Sequence, residues 1–126
     1  TIIAPGKDEE EGLEFLLRDF RSSPIKQLYD VQFIFVIDIR TSDSSKKVAS
    51  EFSDNIIDQK ETTGKGSAVK QAVELWKKNP TSKVIFLDAD ASYSFDSVIK
   101  VLDSLDNDVD VVSGSRFLSN KKSTLA

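Results

Sequence analysis

The stretch Lys83–Ser94, KVIFLDADASYS, joins a run of apolar residues to two aspartates one residue apart. The apolar residues before Asp88 predict a buried β-strand. Residues two apart on an extended backbone point the same way, so the carboxylates of Asp88 and Asp90 can converge on one object. Two close carboxylates repel each other unless a positive charge lies between them. The stretch therefore predicts a strand that ends at a divalent-cation site or, more simply, at an acidic turn.

Outward from this stretch, apolar runs alternate with helical patterns along the whole chain. Near-continuous apolar strands between amphipathic helices predict an α/β fold, with a Rossmann-like parallel sheet of about five strands and helices on both faces. In the predicted helix Gly66–Lys78, which follows a glycine-rich loop, Trp76 shares a face with Val69 and Ala72. We therefore expect Trp76 to be largely buried. The predicted strands are Thr1–Ala4, Val31–Asp38, Asn55–Gln59, Lys83–Asp88 and Val109–Ser115, and the predicted helices are Glu9–Phe20, Ser42–Phe52, Gly66–Lys78 and Ser94–Leu105.

The composition limits the kinds of catalytic group and metal site that the chain can form. The chain has 126 residues, a net charge of −4, and neither Cys nor His. This length fits one domain, residues 1–126. Without Cys or His there is no thiolate nucleophile and no Ser–His pair, so we expect any metal to be a hard cation such as Mg²⁺ or Mn²⁺.

The charge and the ends of the chain bear on its partners. The acidic balance argues against nucleic acid as a partner. No apolar run approaches the roughly 20 residues of a membrane span. Because the chain starts inside a predicted strand and contains no Met, we expect it to be part of a longer protein, truncated at both ends.

Candidate site residues follow every predicted strand. In open parallel sheets, ligands bind beyond the carboxyl ends of the strands, near the point where strand order reverses. We therefore expect Asp38, Lys65 and Asp88 to open onto one cleft. In strand order, the residues at these ends are Asp8, Glu9 and Glu10; Asp38; Gly64, Lys65 and Gly66; Asp88 and Asp90; and Ser113–Arg116.

The segment Thr62–Ala68, TTGKGSA, places two glycines around Lys65 just before a predicted helix. Backbone N–H groups and an ammonium can face an anion together in such a loop. The segment is not a Walker A motif, since Gln59 stands at the first glycine position, nor a full dinucleotide fingerprint, since Val69 stands at the third. It predicts either an anion site or a glycine-rich loop before an ordinary helix.

Taken in order, five segments resemble the nucleotide-sugar-binding half of the family 2 inverting glycosyltransferases, which have the GT-A fold. The resemblance is strongest to the polyprenyl- or dolichyl-phosphate mannosyl- and glucosyltransferases. It covers nearly the whole chain, and its second half is the more specific. The segments are PGKDEEEGL, DIRTSD, TTGKGSA, DADAS and DVVSGSR, where the family reads PxYNE(E), DDGSxD, NxGKGxA, DADxS and DVVxGSR.

The resemblance implies a role for each matching residue. Asp88 and Asp90 would bind the Mg²⁺ or Mn²⁺ ion that bridges the donor diphosphate, with Ser92 as a third ligand. Asp90 and Arg116 would be the catalytic residues, and Arg116 would face the acceptor phosphate. For the nucleotide sugar, Pro5, Asp8 and Glu9 would line the base and ribose pocket, Asp38 would hold the nucleoside, and Gly64, Lys65 and Gly66 would flank the nucleotide.

The implied reaction is transfer of a sugar from a nucleotide sugar to a polyprenyl or dolichyl phosphate or a related acceptor. GDP-mannose is the favoured donor and a UDP-sugar the second choice. Such an acceptor is already an anionic nucleophile, so the lack of His is no objection. A lipid acceptor implies a cytoplasmic protein at the cytoplasmic face of a membrane.

Departures from the family pattern keep two alternatives open. Ile39 and Arg40 replace the second Asp and the Gly of the DDGS segment, which puts recognition of the base in question. One alternative is a catalytically incomplete nucleotide-sugar-binding module. The other is a haloacid-dehalogenase-like phosphatase, with Asp88 as nucleophile and Asp90 as acid/base, although that motif normally opens its fold and its later acidic pair is missing here.

Overall fold

The structure, a computed structural model, describes residues 1–59, 64–89, 94–105 and 108–112. The strands of these residues form one parallel sheet in the order β3-β2-β1-β4, with helices on both faces. The predicted α/β class with a Rossmann-like parallel sheet is confirmed. The elements are β1 (Ile2–Gly6), α1 (Glu10–Ser22), α2 (Ile25–Leu28), β2 (Phe33–Asp38), α3 (Ser45–Ser50), β3 (Ile56–Gln59), α4 (Lys65–Trp76), β4 (Ile85–Phe86) and α5 (Phe95–Ser104).

Strands β1 and β2 form the centre of the sheet and divide the core into two parts. Every residue of β2 is buried, as its apolar run predicts. Phe33 and Phe35 point to the face covered by α1, α3 and α5, while Ile34 and Val36 point to the face covered by α4. This alternation follows from the two-residue period of a strand and makes a three-layer domain.

The strand order reverses between β1 and β4. The chain builds β1, β2 and β3 as successive neighbours, with α1 and α3 on one face. Helix α4 then crosses the other face and returns the chain to the far side of β1, where β4 pairs with it. The carboxyl ends of β1 and β4 therefore flank the topological switch point, which is where ligands bind in sheets of this kind.

Strand β4 is shorter than the predicted Lys83–Asp88. The Leu87 N–H donates to the Ile3 carbonyl oxygen at 3.0 Å, so Ile3 presents its backbone groups to β4. The next residue of β1 that faces β4 is Pro5, which has no N–H to donate. The ladder ends there, and the chain after Leu87 is released from the sheet.

Helix α5 is held at its start, close to the candidate site. The Ser94 hydroxyl accepts from the Ser97 N–H and caps the helix. The Phe95 N–H donates to Asp19 of α1 at 2.7 Å. The ring of Phe95 also packs beside Phe20 of α1, with centroids 5.2 Å apart. These contacts fix the start of α5 against α1. Residues 90–93, which precede Ser94 in sequence, lie outside the described ranges.

Two expectations need correction or fall partly outside the described residues, and one helix was not predicted. Of the fifth predicted strand, Val109–Ser115, residues 109–112 are described and are not in a strand, and the remainder is not described. Helix α2 was not predicted, because its four residues make only about one turn and are too few to show a repeating apolar pattern. Trp76 is partly rather than largely buried: Ala68 and Ala72 are the buried residues of α4, and Trp76 ends the helix at the margin of the core.

Among the described helices, none is both long and apolar enough to cross a membrane.

Candidate functional site

The carboxyl edge of the sheet brings together the candidate residues that follow separate strands. Asp38 is the last residue of β2, Asp88 lies two residues after β4, and Lys65 begins α4 after β3. At the switch point the end of β1 lies against the segment that follows β4, since a Cβ placed on Gly6 would stand 3.2 Å from the Ala89 Cβ. A larger residue at position 6 would push Ala89, and Asp88 with it, away from β1.

Lys65 and Asp88 form an ion pair across this edge. The Lys65 ammonium lies 2.5 Å from Asp88 Oδ1, and the two side chains are 65% and 42% exposed. The pair links the start of α4, which follows the edge strand β3, to the end of the other edge strand, β4. It places a cation and a carboxylate side by side at the edge where a phosphorylated ligand is expected.

Gln59 fixes the backbone that carries Lys65. Its side chain is 3% exposed, and its amide Nε2 donates to the Gly64 carbonyl oxygen at 3.0 Å. Gly64 has a φ of +106°, a conformation that favours glycine. In the sequence, Gln59 stands out only as a mismatch to a Walker motif. A polar residue at the last position of a strand, where the side chain of Gln59 is buried, indicates a structural partner.

Asp38 is paired with Arg40, two residues further along the chain. Asp38 Oδ1 accepts from the Arg40 backbone N–H at 2.8 Å and from Arg40 Nε at 2.9 Å, and Oδ2 accepts from a terminal guanidinium nitrogen at 2.7 Å. These hydrogen bonds, the side-chain ones foremost, hold the pKa of Asp38 well below its ordinary value. Both oxygens of the carboxylate expected to hold the nucleoside are thus engaged within the chain.

Polar side chains interlock the amino ends of α1 and α3 beside the site. Asp8, at a φ of +50°, accepts from the Ser42 N–H at 2.8 Å. The Glu9 N–H donates to Ser45 Oγ at 2.9 Å, and the Ser45 hydroxyl in turn contacts Asp43 Oδ1. The hydrogen bonds from Ser45 lower the pKa of Asp43. Asp8 therefore braces the loop after β2 in addition to any role toward a nucleotide.

A hard cation is the metal that the candidate ligands would suit. Asp88 offers a partly exposed carboxylate at the switch point, and carboxylate oxygens are preferred ligands of Mg²⁺ and Mn²⁺. Asp90, Ser92 and Arg116 lie outside the described residues. Within the described ranges, no three acidic residues cluster as a metal site. The ligand set Asp88, Asp90 and Ser92 therefore stays a prediction. The carboxylate of Asp88 is a suitable ligand for the predicted cation.

Two surface depressions lie at the opposite, amino edge of the sheet. Residues 29–31, which precede β2, line both of them, and residues 81–83, which precede β4, line one. They do not coincide with the carboxyl-edge residues. Parallel sheets bind their ligands at the carboxyl edge, so we place the candidate site there.

Comparison with known proteins agrees with this geometry. The sequence is 30% identical over 116 residues to glycosyltransferase AglJ of Haloferax volcanii, a match that covers 92% of this chain and 35% of that protein. The chain thus spans about a third of the length of this relative. The protein family described as "Glycosyl transferase family 2" matches residues 1–126. The chain folds as a parallel α/β domain with acidic and basic residues gathered at its switch point, and this family matches it over its whole length. The chain therefore belongs to glycosyl transferase family 2.

Proposed function

We propose that the chain is the nucleotide-sugar-binding part of an inverting glycosyltransferase. The donor is a nucleotide sugar, with GDP-mannose favoured and a UDP-sugar second, and the acceptor is a polyprenyl or dolichyl phosphate or a related molecule. The observation that carries the proposal is the juxtaposition of Lys65 and Asp88 at the switch point of a family 2 domain. The Lys65 ammonium suits a phosphate, and the Asp88 carboxylate suits a cation that accompanies the phosphate.

The proposed chemistry is electrostatic. Asp88, Asp90 and Ser92 would hold Mg²⁺ or Mn²⁺, which supplies Lewis-acid stabilisation of the departing diphosphate. Lys65, at the start of α4, donates to diphosphate oxygens together with nearby backbone N–H groups. Arg116 orients the acceptor phosphate, which attacks as an anion, so no side chain is needed as a strong base. Pro5, Asp8 and Glu9 would border the nucleoside.

The base pocket departs from the family pattern, and this supports weak discrimination between bases. Arg40 occupies both oxygens of Asp38, and the neighbouring Ile39 is 57% exposed but has no acceptor for a base. We expect GDP and UDP to bind this chain with similar affinities. Calorimetry with the two nucleotides in Mn²⁺ tests this, and an affinity gap above about tenfold would mean that other residues read the base.

The same observation favours a second candidate, a nucleotide-sugar-binding module that does not catalyse transfer. A carboxylate already neutralised by Arg40 is a poor acceptor for a nucleoside. Because the chain spans about a third of its relative, the acceptor site and the activity belong to the full-length protein. Transfer of sugar from GDP-mannose to a short polyprenyl phosphate by the full-length protein supports the enzyme. Binding of the donor without transfer supports the module.

The acceptor also bears on location. We propose that the full-length protein acts at the cytoplasmic face of a membrane, where a lipid phosphate would be presented. Sedimentation of the full-length protein with vesicles that contain a polyprenyl phosphate tests this, with vesicles that lack it as the control.

The metal site can be tested on the chain itself. Asp88→Asn and Asp90→Asn each remove one anionic ligand with little change in size. We expect either variant to weaken Mn²⁺-dependent GDP binding at least ~10-fold, about 1.4 kcal/mol. The stability of the metal-free Asp90→Asn protein should be unchanged or slightly higher, because close carboxylates repel.

A matched control is Asp58→Asn, since Asp58 is 38% exposed and pairs with Lys46 at 2.8 Å. This variant loses a comparable surface ion pair away from β4 and should keep full GDP binding. If Asp90→Asn melts at a lower temperature yet retains the full shift produced by Mn²⁺ and GDP, the two aspartates form a turn and the metal site is wrong.

A further inference from the structure

Helix α4 begins with a positive charge where helices disfavour one. The amino end of a helix carries the positive end of the backbone dipole, so acidic residues are stabilising there and basic residues are not. Lys65 is the first residue of α4, and the first turn holds no acidic residue. The carboxylate that compensates this excess of positive charge comes from outside the helix, from Asp88 after β4.

The ammonium of Lys65 reaches Asp88 from a fixed backbone. The Gly64 carbonyl is held by buried Gln59, so the first turn of α4 cannot easily drift away from the site. The side chain itself is not fixed, because Lys65 is 65% exposed and carries four flexible methylene groups. An ion pair this exposed is weak, commonly below about 1 kcal/mol, and readily exchanged for another partner.

We infer that Lys65 is a stand-in for the divalent cation at Asp88, an inference that rests on the proposed function. In the cation-free protein its ammonium neutralises Asp88. A cation that binds Asp88 displaces it, and the released ammonium turns to the donor diphosphate. Lys65 thereby competes with the cation and cooperates with the nucleotide, so that cation binding and phosphate binding are coupled through one side chain.

Competition with the cation and cooperation with the nucleotide predict that the same substitution changes the cation affinity and the nucleotide affinity in opposite directions. In Lys65→Gln, Asp88 has no ammonium beside it, so a cation binds without displacing one. The diphosphate, however, loses a charged donor. A residue that merely stabilised the fold would change both affinities in the same direction or neither, and an ordinary phosphate-binding lysine would change only the nucleotide affinity.

The experiment measures Mn²⁺ alone and GDP at saturating Mn²⁺ by calorimetry on the same chain. We expect Lys65→Gln to bind Mn²⁺ alone roughly three- to tenfold more tightly, a range set by the strength of exposed ion pairs and the double charge of the ion. We expect it to bind GDP at least about fivefold more weakly, because a charged hydrogen bond is lost. Lys65→Arg should resemble the wild type more closely in both measurements.

The matched control is Lys46→Gln, which removes an equal charge from a similarly exposed pair with Asp58. It should change either affinity by less than about twofold, since surface charges at a distance are largely screened. A Lys65→Gln protein that binds Mn²⁺ no more tightly than the wild type overturns the inference. Unchanged GDP binding by Asp88→Asn would instead overturn the proposed metal site, so the two failures are distinguishable.

Discussion

At the scale of single residues, the carboxyl edge is a set of charges that already have partners. Asp38 is held by Arg40, and Asp88 by Lys65. The two pairs differ in a way that matters for binding. The carboxylate of Asp38 is 8% exposed and is engaged at both oxygens, whereas that of Asp88 is 42% exposed and uses one oxygen toward Lys65. A ligand therefore gains access to Asp88 more easily than to Asp38.

The Asp38–Arg40 pair predicts a pH dependence of stability. Because hydrogen bonds from Arg40 lower the pKa of Asp38 in the folded chain, the pair stabilises the fold above the unfolded value, about pH 4. This contribution is lost as the pH falls through the lower, folded-state pKa. We expect Arg40→Gln to lower the free energy of unfolding at pH 7, and the deficit relative to wild type to shrink progressively below about pH 4.

Urea unfolding of both proteins from pH 7 down to pH 2 measures this difference. Arg18→Gln, which alters an exposed arginine on α1 whose guanidinium lies 5.6 Å from the centroid of the Phe15 ring, is the control for loss of a positive charge that does not pair with Asp38. A deficit for Arg40→Gln that stays constant over this whole range would mean that the titration of Asp38 is not its source.

At the scale of elements, the start of α4 depends on one glycine more than on the other. Gly64 has a φ of +106°, while Gly66 lies inside the helix. Among the described residues, a Cβ at either position would lie within 4 Å of no atom beyond its chain neighbours and the backbone of its own helix. Gly64→Ala should therefore destabilise the metal-free domain by about 1–3 kcal/mol through backbone strain alone, because a φ of +106° with a ψ of 157° lies in a region essentially restricted to glycine. Gly66→Ala should stabilise it by roughly 0.4–1 kcal/mol, since alanine restricts the unfolded chain and favours the helix.

Thermal and urea unfolding of the two variants form a matched pair, because the same methyl group is added two residues apart. Equal effects of the two substitutions would contradict the assigned conformation at Gly64.

The junction between α1 and α3 gives a second prediction at this scale. Ser45 is fully buried and accepts from the Glu9 N–H at 2.9 Å while contacting Asp43. Ser45→Ala removes the buried hydroxyl that accepts from that N–H and should cost about 1–2 kcal/mol of unfolding free energy. Ser50→Ala, at an exposed position of the same helix, should cost less than about 0.5 kcal/mol. A loss from Ser45→Ala no larger than that of the control would mean that water replaces the hydroxyl.

The elements also show how far sequence reasoning reaches. The β-branched and aromatic run of Val31–Asp38 predicted β2 well, because every residue of a central strand is buried whatever its direction. The length of β4 was not predictable from its own residues, since the ladder stops at Pro5, eighty residues earlier. Local pattern sets which elements form, and pairing between distant segments sets where they end.

The candidate site likewise has features that the sequence predicted and features that it did not. Parallel topology alone brought Asp38, Lys65 and Asp88 to one edge, and the sequence predicted this. The partner of each residue was not predicted. Lys65 and Asp88 are far apart in sequence and meet only through the crossover of α4. Arg40 was read as a departure from a family pattern, although its spacing from Asp38 allows a local ion pair.

At the scale of the whole molecule, the domain has two cores that share one sheet. The larger core lies under α1, α3 and α5, and the smaller one under α4, where Trp76 packs at the margin and donates to Thr81 Oγ1 at 3.1 Å. Strands β1 and β2 contribute alternate residues to both. Because each face is buried only while the shared strands are ordered, we expect the two cores to unfold in a single transition.

A truncation in one core, observed from the other, tests this coupling. Leu16 is 1% exposed in the larger core, and Leu16→Ala should lower the free energy of unfolding by about 2–5 kcal/mol. Trp76, the single tryptophan of the chain, reports from the opposite face. We expect its fluorescence transition in urea to shift to lower denaturant by the same amount as the far-ultraviolet circular dichroism transition. Phe15→Ala, at a neighbouring position that is 64% exposed, should move both transitions little. If the dichroism midpoint falls while the Trp76 midpoint stays in place, α4 and its core remain folded without the other face, and the sheet does not couple the two.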